Sequence, residues 1–460
     1  MLITYMLFAL LGSTLPWIPQ AREATGEGTP LTLSPSSVAG GEDGPDRVLL
    51  IEKPQDALAV RMQMIRSANE TLDMAYYAIG ADECGQAFLG EVLDAADRGV
   101  QVRILIDGKI NGTGKTKRLM RALTTHPNIE CRKYNPINVF RPWKWHAVLH
   151  DKFILADGQR LLLGGRNVSD RFFAPEGYAE EITQDRDVFV VNMDQPEKSV
   201  CRQLETYMDR LWTAEDTRPQ KPLKGGEAEF QALRDAAVAF ARRNPSMYVR
   251  KMEDYQRDAL PARSVSLITN PIHTGKKQPV VAQGMRALAM QASSSVIIQT
   301  PYATVSDPLL ETMRAIDENA DTTLLTNSLA SSPNYIAFSN YYSRRTRLLD
   351  AGLDIYELQS KDSIHGKSMI VDDRLSAVGS FNMDDRSFRI DTESMLVIDS
   401  VPFAESLHGA MSEYLGSSLQ VGPDNRYLAD GDTAAEPVHI AKRACIWLIS
   451  VLSRLFYYLV

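Results

Sequence analysis

Two stretches of the chain repeat one pattern of polar residues: "HDKFILADGQRLLLGGRN", from His150 to Asn167, and "HGKSMIVDDRLSAVGSFN", from His365 to Asn382. In each stretch a histidine is followed by a lysine after two residues, by an aspartate after seven and by an asparagine after seventeen. Because the chain has only 7 histidines, two matching constellations indicate a duplication rather than chance.

Each half of the chain also runs through three strand-like stretches, separated by helical patterns, before its motif. These stretches are "ETLDMAYYAI" (70–79), "VQVRILIDG" (100–108) and "IECRKYN" (129–135) in the first half, and "SVIIQTPYAT" (295–304), "DTTLLTNS" (321–328) and "LDIYELQ" (353–359) in the second. Strands that alternate with helices favour largely parallel sheets covered on both faces. The sequence therefore predicts a duplicated α/β fold.

Composition divides the chain into five segments. They are an apolar N-terminal signal or anchor segment with its linker (1–45), a first half (46–214), a linker rich in Pro and Gly (215–227), a second half (228–440) and a basic amphipathic tail (441–460). The apolar run at the N-terminus has the length of a signal-peptide core and favours export or anchoring, although a misplaced start or a simple hydrophobic extension would give the same pattern.

The tail, "KRACIWLISVLSRLFYYLV", has the pattern of an interfacial helix. On a helix its polar residues form one stripe, and these are Arg443, Ser450, Ser453, Arg454 and Tyr457. An apolar face with basic residues suits anionic lipid, so we expect this tail to associate with a membrane. The alternative is a terminal helix that docks on the protein's own core.

Overall charge and cysteine usage restrict the partners. A net charge of −8 argues against a protein that coats nucleic acid, because phosphate neutralisation needs clustered Lys and Arg. The 4 cysteines are widely separated and predict neither a zinc site nor a disulfide framework. We expect no cofactor, no metal and no nucleic-acid partner, and a partner protein is left open.

The repeated motif places an imidazole and an ammonium side by side. Residues two apart on a strand face the same side, so His150 projects with Lys152 and His365 with Lys367. The motif residues assigned to catalysis are His150, Lys152, Asp157, His365, Lys367 and Asp372. The two aspartates lie an odd number of residues from their histidines, and we expect them to support the strand ends rather than to touch substrate.

Short turns after the motif return the chain as an antiparallel strand. This return brings small residues and a carboxamide back towards each histidine, and the predicted phosphate-binding residues are Gly165, Asn167, Ser380 and Asn382. Backbone N–H groups freed of side-chain bulk, carboxamides and lysines suit the nonbridging oxygens of a phosphoryl group.

An attacking neutral histidine needs its far ring nitrogen held by an acceptor. The candidates precede apolar strands downstream in each half: Asp185 or Asp187 in "TQDRDVFVV", and Glu393 in "IDTESMLVI". Asp185 is preferred over Asp187 because of its position relative to the strand. Two imidazoles on opposite sides of one phosphorus would support double displacement through a phosphohistidine.

These motifs resemble those of the phospholipase D superfamily, and in particular its bacterial cardiolipin synthase branch. The resemblance covers about residues 45 to 420. It implies two α/β/α sandwich halves around a pseudo-twofold axis, with one active site at their interface. It also implies His150 as nucleophile and His365 as general acid and base, an order that the residues alone do not decide. The first half departs from the pattern, since "QDRD" stands where the second half has "DTE".

Three features favour phospholipid as substrate: the tail, the apolar N-terminus and the insert "FRPWKWH" (140–146), which mixes aromatic and basic residues. The same insert could stack bases or simply pack as a loop. The arginines Arg344, Arg345 and Arg347 offer a second phosphate site or, alternatively, a solvated basic face.

The sequence thus predicts a phosphatidyltransferase associated with a bacterial cell membrane. The periplasmic face is one location that this prediction allows. Phosphatidylglycerol and a second phospholipid would give cardiolipin. The alternatives are a hydrolytic phospholipase D, a nuclease of the same superfamily and a catalytically silent membrane-binding scaffold.

Overall fold

The computed structural model describes residues 2–17, 44–192, 196–304, 307–428 and 433–453 of the chain. Its strands are β1 (Asp46–Ile51), β2 (Thr71–Tyr76), β3 (Gln101–Asp107), β4 (Ile129–Tyr134), β5 (Lys152–Ala156), β6 (Arg160–Gly164), β7 (Thr183–Gln184), β8 (Asp187–Asn192), β9 (Thr217–Pro219), β10 (Leu260–Pro261), β11 (Ser264–Thr269), β12 (Ser295–Gln299), β13 (Asp321–Asn327), β14 (Asp354–Leu358), β15 (Ser363–Ile364), β16 (Lys367–Val371), β17 (Leu375–Gly379), β18 (Ser394–Asp399) and β19 (Ser418–Gln420).

The helices are α1 (Leu2–Thr14), α2 (Pro54–Ser67), α3 (Glu83–Asp97), α4 (Gly114–Leu123), α5 (Asp170–Phe173), α6 (Val200–Thr213), α7 (Ala228–Arg243), α8 (Met252–Asp258), α9 (Val280–Ala289), α10 (Asp307–Asp317), α11 (Tyr335–Leu349), α12 (Asp385–Arg389), α13 (Val401–Leu415) and α14 (Ile440–Ser453). Short 3₁₀ turns accompany them, among them Pro142–Lys144.

Two large sheets repeat one strand order. The first runs β10-β1-β8-β6-β5-β2-β3-β4-β9, and the second runs β11-β18-β17-β16-β12-β13-β14-β19. Apart from β10, each strand of the first sheet has a counterpart in the second at the same place. The predicted duplication of an α/β unit is therefore confirmed.

The expectation of largely parallel sheets is wrong, because both sheets are mixed. Parallel pairing within them is confined to β2-β3-β4 and β12-β13-β14 among the described strands. The hairpins that follow each motif, β5-β6 and β16-β17, are antiparallel and extend the sheet on the other side. A return through a short turn can only make an antiparallel pair, so the motif itself limits the parallel part.

The two motif aspartates occupy these hairpin turns. Asp157 and Asp372 have φ angles of 52° and 51°, in the left-handed region that aspartate tolerates in turns. The Asp157 carboxylate accepts hydrogen bonds from the backbone N–H groups of residues 69–71, at 2.9–3.2 Å. Asp372 does the same for residues 293–295. Each aspartate thus ties its turn to the start of a central strand.

The two halves divide later along the chain than composition indicated. Helix α7 packs on α3, and its side chains Phe230, Leu233 and Phe240 are buried in the core of the first sheet. Strand β10 then pairs with β1, so residues 228–261 belong to the first half and the second begins at β11. Residues 215–227 look like a linker in composition because they form an exposed connection within the first half.

A shared core joins the halves. The first sheet packs on α2 and α3, the second sheet packs on α9 to α11, and a third apolar cluster lies between the sheets. That third cluster combines Leu161 and Leu163 from one sheet with Val378 and Leu396 from the other, together with side chains of α6 and α13. This buried apolar contact fixes the position of the two halves relative to each other.

Both terminal helices pack on this body. In α1, the Tyr5 hydroxyl donates to the Val139 carbonyl at 3.2 Å. In α14, Ile446 is buried and the Lys442 ammonium donates to the Ala330 carbonyl at 2.8 Å, so this part of the tail docks as the alternative interpretation expected. No helix within the described ranges has the length and apolarity that crossing a bilayer requires. Residues 18–43, which contain most of the predicted linker, and the tail's Arg454 and Tyr457 lie outside the described residues.

We predict that Asp187→Asn destabilises the fold strongly. The fully buried Asp187 carboxylate accepts hydrogen bonds from Arg61 at 2.9 and 3.0 Å and from Arg166 at 3.0 Å. Without its charge two guanidinium groups stay buried and uncompensated, which costs about 3–5 kcal/mol. Urea denaturation followed by circular dichroism measures the loss.

The control is Asp209→Asn, since Asp209 is 58% exposed and pairs with Arg103 at the surface. Surface pairs contribute about 0–1 kcal/mol, so this variant should unfold close to the wild type. Equal denaturation midpoints for the two variants would contradict the role given to Asp187.

Candidate active site

Each motif histidine lies between the two halves. His150 lies two residues before β5, and its neighbour Leu149 forms a parallel bridge with Thr392 of the second half. His365 lies two residues before β16 and directly follows β15, which pairs in parallel with β7 of the first half. The backbone on the N-terminal side of each histidine is therefore held by the opposite half.

The supporting carboxylates cross between the halves. His150 Nδ1 lies 3.0 and 3.1 Å from the carboxylate oxygens of Glu393, which belongs to the second half. His365 Nδ1 lies 2.6 Å from Asp185 Oδ2, which belongs to the first half. Both carboxylate side chains are fully buried. Neither half contains both members of a motif histidine–carboxylate pair, so the site exists only where the halves meet.

The structure brings Asp185 to the site and turns Asp187 away from it. Asp185 lies two residues before β8 and contacts His365, whereas Asp187 is the first residue of β8 and binds the buried arginines described above. Asp157 and Asp372 are not brought to the site either, because each follows the far end of the strand that the motif lysine begins. We therefore assign these three aspartates no part in the chemistry.

The two motif lysines are buried beside their histidines. The ammonium groups of Lys152 and Lys367 donate to the backbone carbonyls of His150 and His365, respectively. Lys367 Nζ also lies 2.7 and 3.0 Å from the two ring nitrogens of His365. Burial lowers the pKa of Lys152 to about 7 and the pKa of Lys367 to about 8.

Burial and these lysines also lower the pKa values of the two imidazoles. Burial, followed by the charge of Lys152, lowers the pKa of His150 well below its ordinary value. Burial, followed by the charge of Lys367, lowers the pKa of His365 to about 3. Each lysine also lowers the pKa of the histidine in the other half, so the four groups form one electrostatic unit.

The two carboxylates differ in charge state. Burial raises the pKa of Glu393 to about 8, against the opposing effects of Lys152 and Ser380. Burial alone would also raise the pKa of Asp185, but Lys367 and His365 together lower it below its ordinary value. The His365 side therefore holds a firmly ionised carboxylate, whereas the His150 side holds one that titrates near neutral pH.

Gly165 and Ser380 support these carboxylates. A Cβ atom on Gly165 would lie only 2.3 Å from Asp185 Oδ1, so the carboxylate occupies the space that a side chain would need. In the second half the Ser380 hydroxyl donates to Glu393 Oε2 at 2.5 Å. The backbone N–H groups of both residues bind backbone carbonyls. The sequence had suggested that these N–H groups are free to bind phosphate. They are not free, because they continue the hydrogen-bond pattern of the returning strand one residue beyond its end.

The two asparagines have different surroundings. Asn167 lines a cleft beside His365, and its side-chain oxygen accepts from the backbone N–H of Ala78 at 3.2 Å, which leaves its amide group to donate. Asn382 is buried, and its side-chain oxygen has no hydrogen-bond partner among the described residues. Each carboxamide lies three residues beyond the end of its returning strand, and its part in binding phosphate stays a prediction.

Aromatic residues that sequence reasoning left without a role pack on the histidines. The Tyr77 ring centroid lies 5.2 Å from that of His150, and the Tyr302 ring lies 6.4 Å from that of His365. Phe172 also packs on His365, at 5.6 Å. Tyr77 and Tyr302 follow equivalent strands, and this recurrence was the signal that could have identified them.

An open cleft with an empty volume of about 1000 Å³ reaches His365. Its walls combine apolar side chains with a few polar groups, and they include Ile79, Ile110, Phe172, Tyr302, Asn167 and Arg171. We call this space the His365 cleft. It has the mixed character typical of a site for an amphipathic small molecule.

A comparison with known proteins places these features in a family. The family model described as "Cardiolipin synthase, PLD-like domain", a phospholipase D-like domain, matches residues 62–212 and 285–415. Cardiolipin synthase C of Escherichia coli (strain K12) is 28% identical over 399 residues, which cover 77% of this chain and 82% of that protein. An uncharacterized protein of Helicobacter pylori (strain ATCC 700392 / 26695) is 26% identical over 410 residues, covering 80% and 79%.

A solved structure agrees at the level of the fold. The crystal structure of phosphatidylserine synthase from Haemophilus influenzae Rd KW20 superposes with a TM-score of 0.64 at 16% identity. The superposition covers 90% of this chain and 95% of that one. The predicted phospholipase D fold is thereby confirmed over nearly the whole chain.

We predict that Gly165→Ala reduces activity by about 100-fold, the cost of misplacing a catalytic group by roughly 1 Å. The added methyl group would displace Asp185 and release the ring of His365. The matched control is Gly409→Ala on α13, where an added Cβ meets nothing within 4 Å. Steady-state assays with a soluble short-chain phosphodiester measure both variants. Full activity of Gly165→Ala would show that Asp185 does not need its observed position.

We predict that kcat/KM falls as the pH rises from about 7 through about 8, because Lys152 and then Lys367 lose their charge in this range. A lysine is positive below its pKa, so the phosphate loses its neutralising partners as the pH passes upward through these values. Rate measurements across pH, with circular dichroism to verify the fold at each point, provide the check. A profile that stays level well above pH 8 would rule out this role for the lysines.

Proposed function

Because the chain belongs to the cardiolipin synthase family of phospholipase D-like proteins, we propose that it is a membrane-associated phosphatidyltransferase that makes cardiolipin from phosphatidylglycerol and a second phospholipid. The observation that carries the proposal is the pair of largely buried imidazoles, each held at Nδ1 by a carboxylate of the opposite half. Two such groups at one site suit a double displacement at phosphorus.

In the first step His150 Nε2 attacks the phosphorus of the donor lipid. A bond forms between nitrogen and phosphorus, the bond between phosphorus and the headgroup oxygen breaks, and a protonated His365 gives its proton to the departing alcohol. Glu393 holds His150 at Nδ1, which directs the other ring nitrogen at phosphorus. Among the described residues, Nε2 of His150 has no hydrogen-bond partner that would compete with this attack. The order of the two histidines follows the family resemblance.

In the second step the acceptor alcohol attacks the phosphohistidine. Its oxygen bonds to phosphorus, the bond to His150 breaks, and its proton passes to His365, which returns to the state that began the cycle. Asp185 is well suited to stabilise the positive charge that His365 carries before the first step and again after the second, since Asp185 stays ionised. Lys152, Lys367 and the carboxamides would neutralise the charge on the phosphoryl oxygens.

Exposed apolar residues beside the site support a lipid substrate. Phe140 and Trp143, which are 76% and 41% exposed, lie in the loop that leads to His150, and α1 packs on this loop. At the other terminus α14 packs on α11, whose capping residue Asn334 lines the His365 cleft, and exposes Trp447. Aromatic residues of this kind favour the headgroup layer, so we propose that the membrane surface is the working location.

A hydrolytic phospholipase D is the second candidate. The same histidines would form the same intermediate, and water would replace the acceptor alcohol in the second step. The His365 cleft is open to solvent, and this supports the hydrolase as the second candidate. A cleft that admits a lipid headgroup also admits water.

Product analysis by mass spectrometry tests the proposal. Purified protein is incubated in mixed micelles with phosphatidylglycerol, with and without phosphatidylethanolamine. We expect cardiolipin from the wild type and a loss of at least about 10³-fold in His150→Ala, because the nucleophile is absent. The control is His408→Ala, since His408 is an exposed histidine on α13 that pairs with Asp373 at the surface.

Each outcome separates the candidates. Cardiolipin that depends on His150 supports the transferase, and its dependence on phosphatidylethanolamine identifies the donor. Phosphatidic acid as sole product would make the protein a hydrolase. Equal activity in His150→Ala and His408→Ala would reject the two-histidine mechanism.

A further inference from the structure

The duplicated motif carries a pair of equivalent arginines. Arg171 follows His150 by 21 residues, and Arg386 follows His365 by the same number. Both lie in the short helices α5 and α12, which begin just beyond the returning strands. Any difference between the two arginines is therefore a difference between the two sides of one site.

Their partners differ in charge. Arg386 donates to the His146 carbonyl at 2.7 Å and pairs with the Asp391 carboxylate at 3.4 Å. Arg171 instead donates twice to the hydroxyl of Thr183, at 2.9 and 2.7 Å, and lies over the ring of Phe172. Within the described part of the chain these are its side-chain contacts, and none of them is a carboxylate.

Thr183 and Asp391 occupy equivalent positions. Each lies two residues before the carboxylate that supports a histidine, which is Asp185 in the first half and Glu393 in the second. The second half thus neutralises its arginine at a position where the first half has a hydroxyl. Because of this single difference between the repeats, Arg171 has no carboxylate partner among the described residues.

Arg171 faces the His365 cleft. It is exposed, and it lines the cleft together with His365, Tyr302 and Asn167. Arg386, by contrast, is 28% exposed and bound to its carboxylate. A guanidinium beside the acid and base of the reaction is suited to hold an anion that enters with the exchanging alcohol.

We propose that Arg171 binds the phosphate diester of the acceptor phospholipid and so selects an anionic acceptor. This inference rests on the proposed function, in which His365 takes the proton of the acceptor alcohol. The acceptor's own phosphate lies one short glycerol unit from that alcohol, which places it in the same cleft. The planar guanidinium can offer two parallel N–H donors to its oxygens.

Arg345 of α11, which the sequence offered for a second phosphate site, is less suited to this task. Arg345 is buried, and its guanidinium pairs with Glu357 at 2.6 Å and with Asn425. The charge of Arg345 is therefore neutralised within the fold. This differs from both interpretations of the sequence, which were a second phosphate site and a solvated basic face. Arg171 thus combines exposure to the cleft with the lack of a carboxylate partner.

The test compares three acceptors with one isotopically labelled donor lipid. Glycerol is neutral, glycerophosphoglycerol adds the phosphate without acyl chains, and phosphatidylglycerol adds both. In Arg171→Gln we expect kcat/KM for each phosphate-bearing acceptor, relative to glycerol, to fall by about tenfold or more. Arg171→Lys should lose less, because it keeps the charge but not the planar fork.

Two matched variants sharpen the result. Thr183→Asp places beside Arg171 the carboxylate that Arg386 already has, and it should lower the same ratio without removing the arginine. Thr183→Asn, of equal size and without charge, should retain most of the ratio. Arg257→Gln is the surface control, since Arg257 is 67% exposed on α8 and pairs with Asp254.

An unchanged ratio in Arg171→Gln would overturn the inference, and so would an equal loss with glycerol, which indicates a general structural effect. An effect that is seen only with phosphatidylglycerol, and that is reproduced by adding phosphatidic acid as another anionic lipid, would mean that Arg171 binds the charged membrane surface. That outcome would also overturn the inference. A wild type that transfers to no acceptor rejects the proposed function itself, and the inference falls with it.

Discussion

The structure depends on the crossed contact between each histidine and the carboxylate of the other half. Burying Asp185 or Glu393 alone would be costly, because an unpaired carboxylate loses its hydration. That cost is offset only when the halves dock and the imidazoles and lysines reach the carboxylates. Thr392 extends the contact, since its hydroxyl donates to the buried Asp151 and accepts from the backbone of His150. Assembly of the core and assembly of the site are therefore one event.

The duplication supplies a symmetric frame, and small substitutions make its two sides different. Where the first half has glycine, the shorter aspartate comes close to the backbone of residue 165. Where the second half has Ser380, the longer Glu393 reaches its histidine and accepts the serine hydroxyl. These exchanges conserve the geometry at Nδ1 while changing the charge state of the support. Both histidine rings are held in the same way, but the two carboxylates that hold them differ in pKa.

Much of this arrangement was predictable because it is local. The strand patterns, the hairpin after each motif and the spacing of His, Lys and Asn each depend on neighbouring residues, and all are found as predicted. The crossing of the carboxylates was not predictable, since spacing within one half does not say which half supplies a partner. The division of the chain was missed for a similar reason: the apolar face of α7 fits either sheet until tertiary packing decides. Arg171 was missed because its proposed role depends on the lack of a carboxylate partner among the described residues, which the sequence does not show.

Asymmetry is what a two-step transfer requires of a symmetric frame. In the proposed mechanism His150 is the nucleophile and must hold one phosphorus through both steps, so its side would gain from close packing by Tyr77 and from the neutralised charge of Arg386. His365, the proposed acid and base, must release one alcohol and admit another, so its side needs an opening, and the cleft lies there. A site with two equally open sides would expose the intermediate to water from both directions. The replacement of a carboxylate by Thr183 and the position of the cleft thus serve the same division of labour.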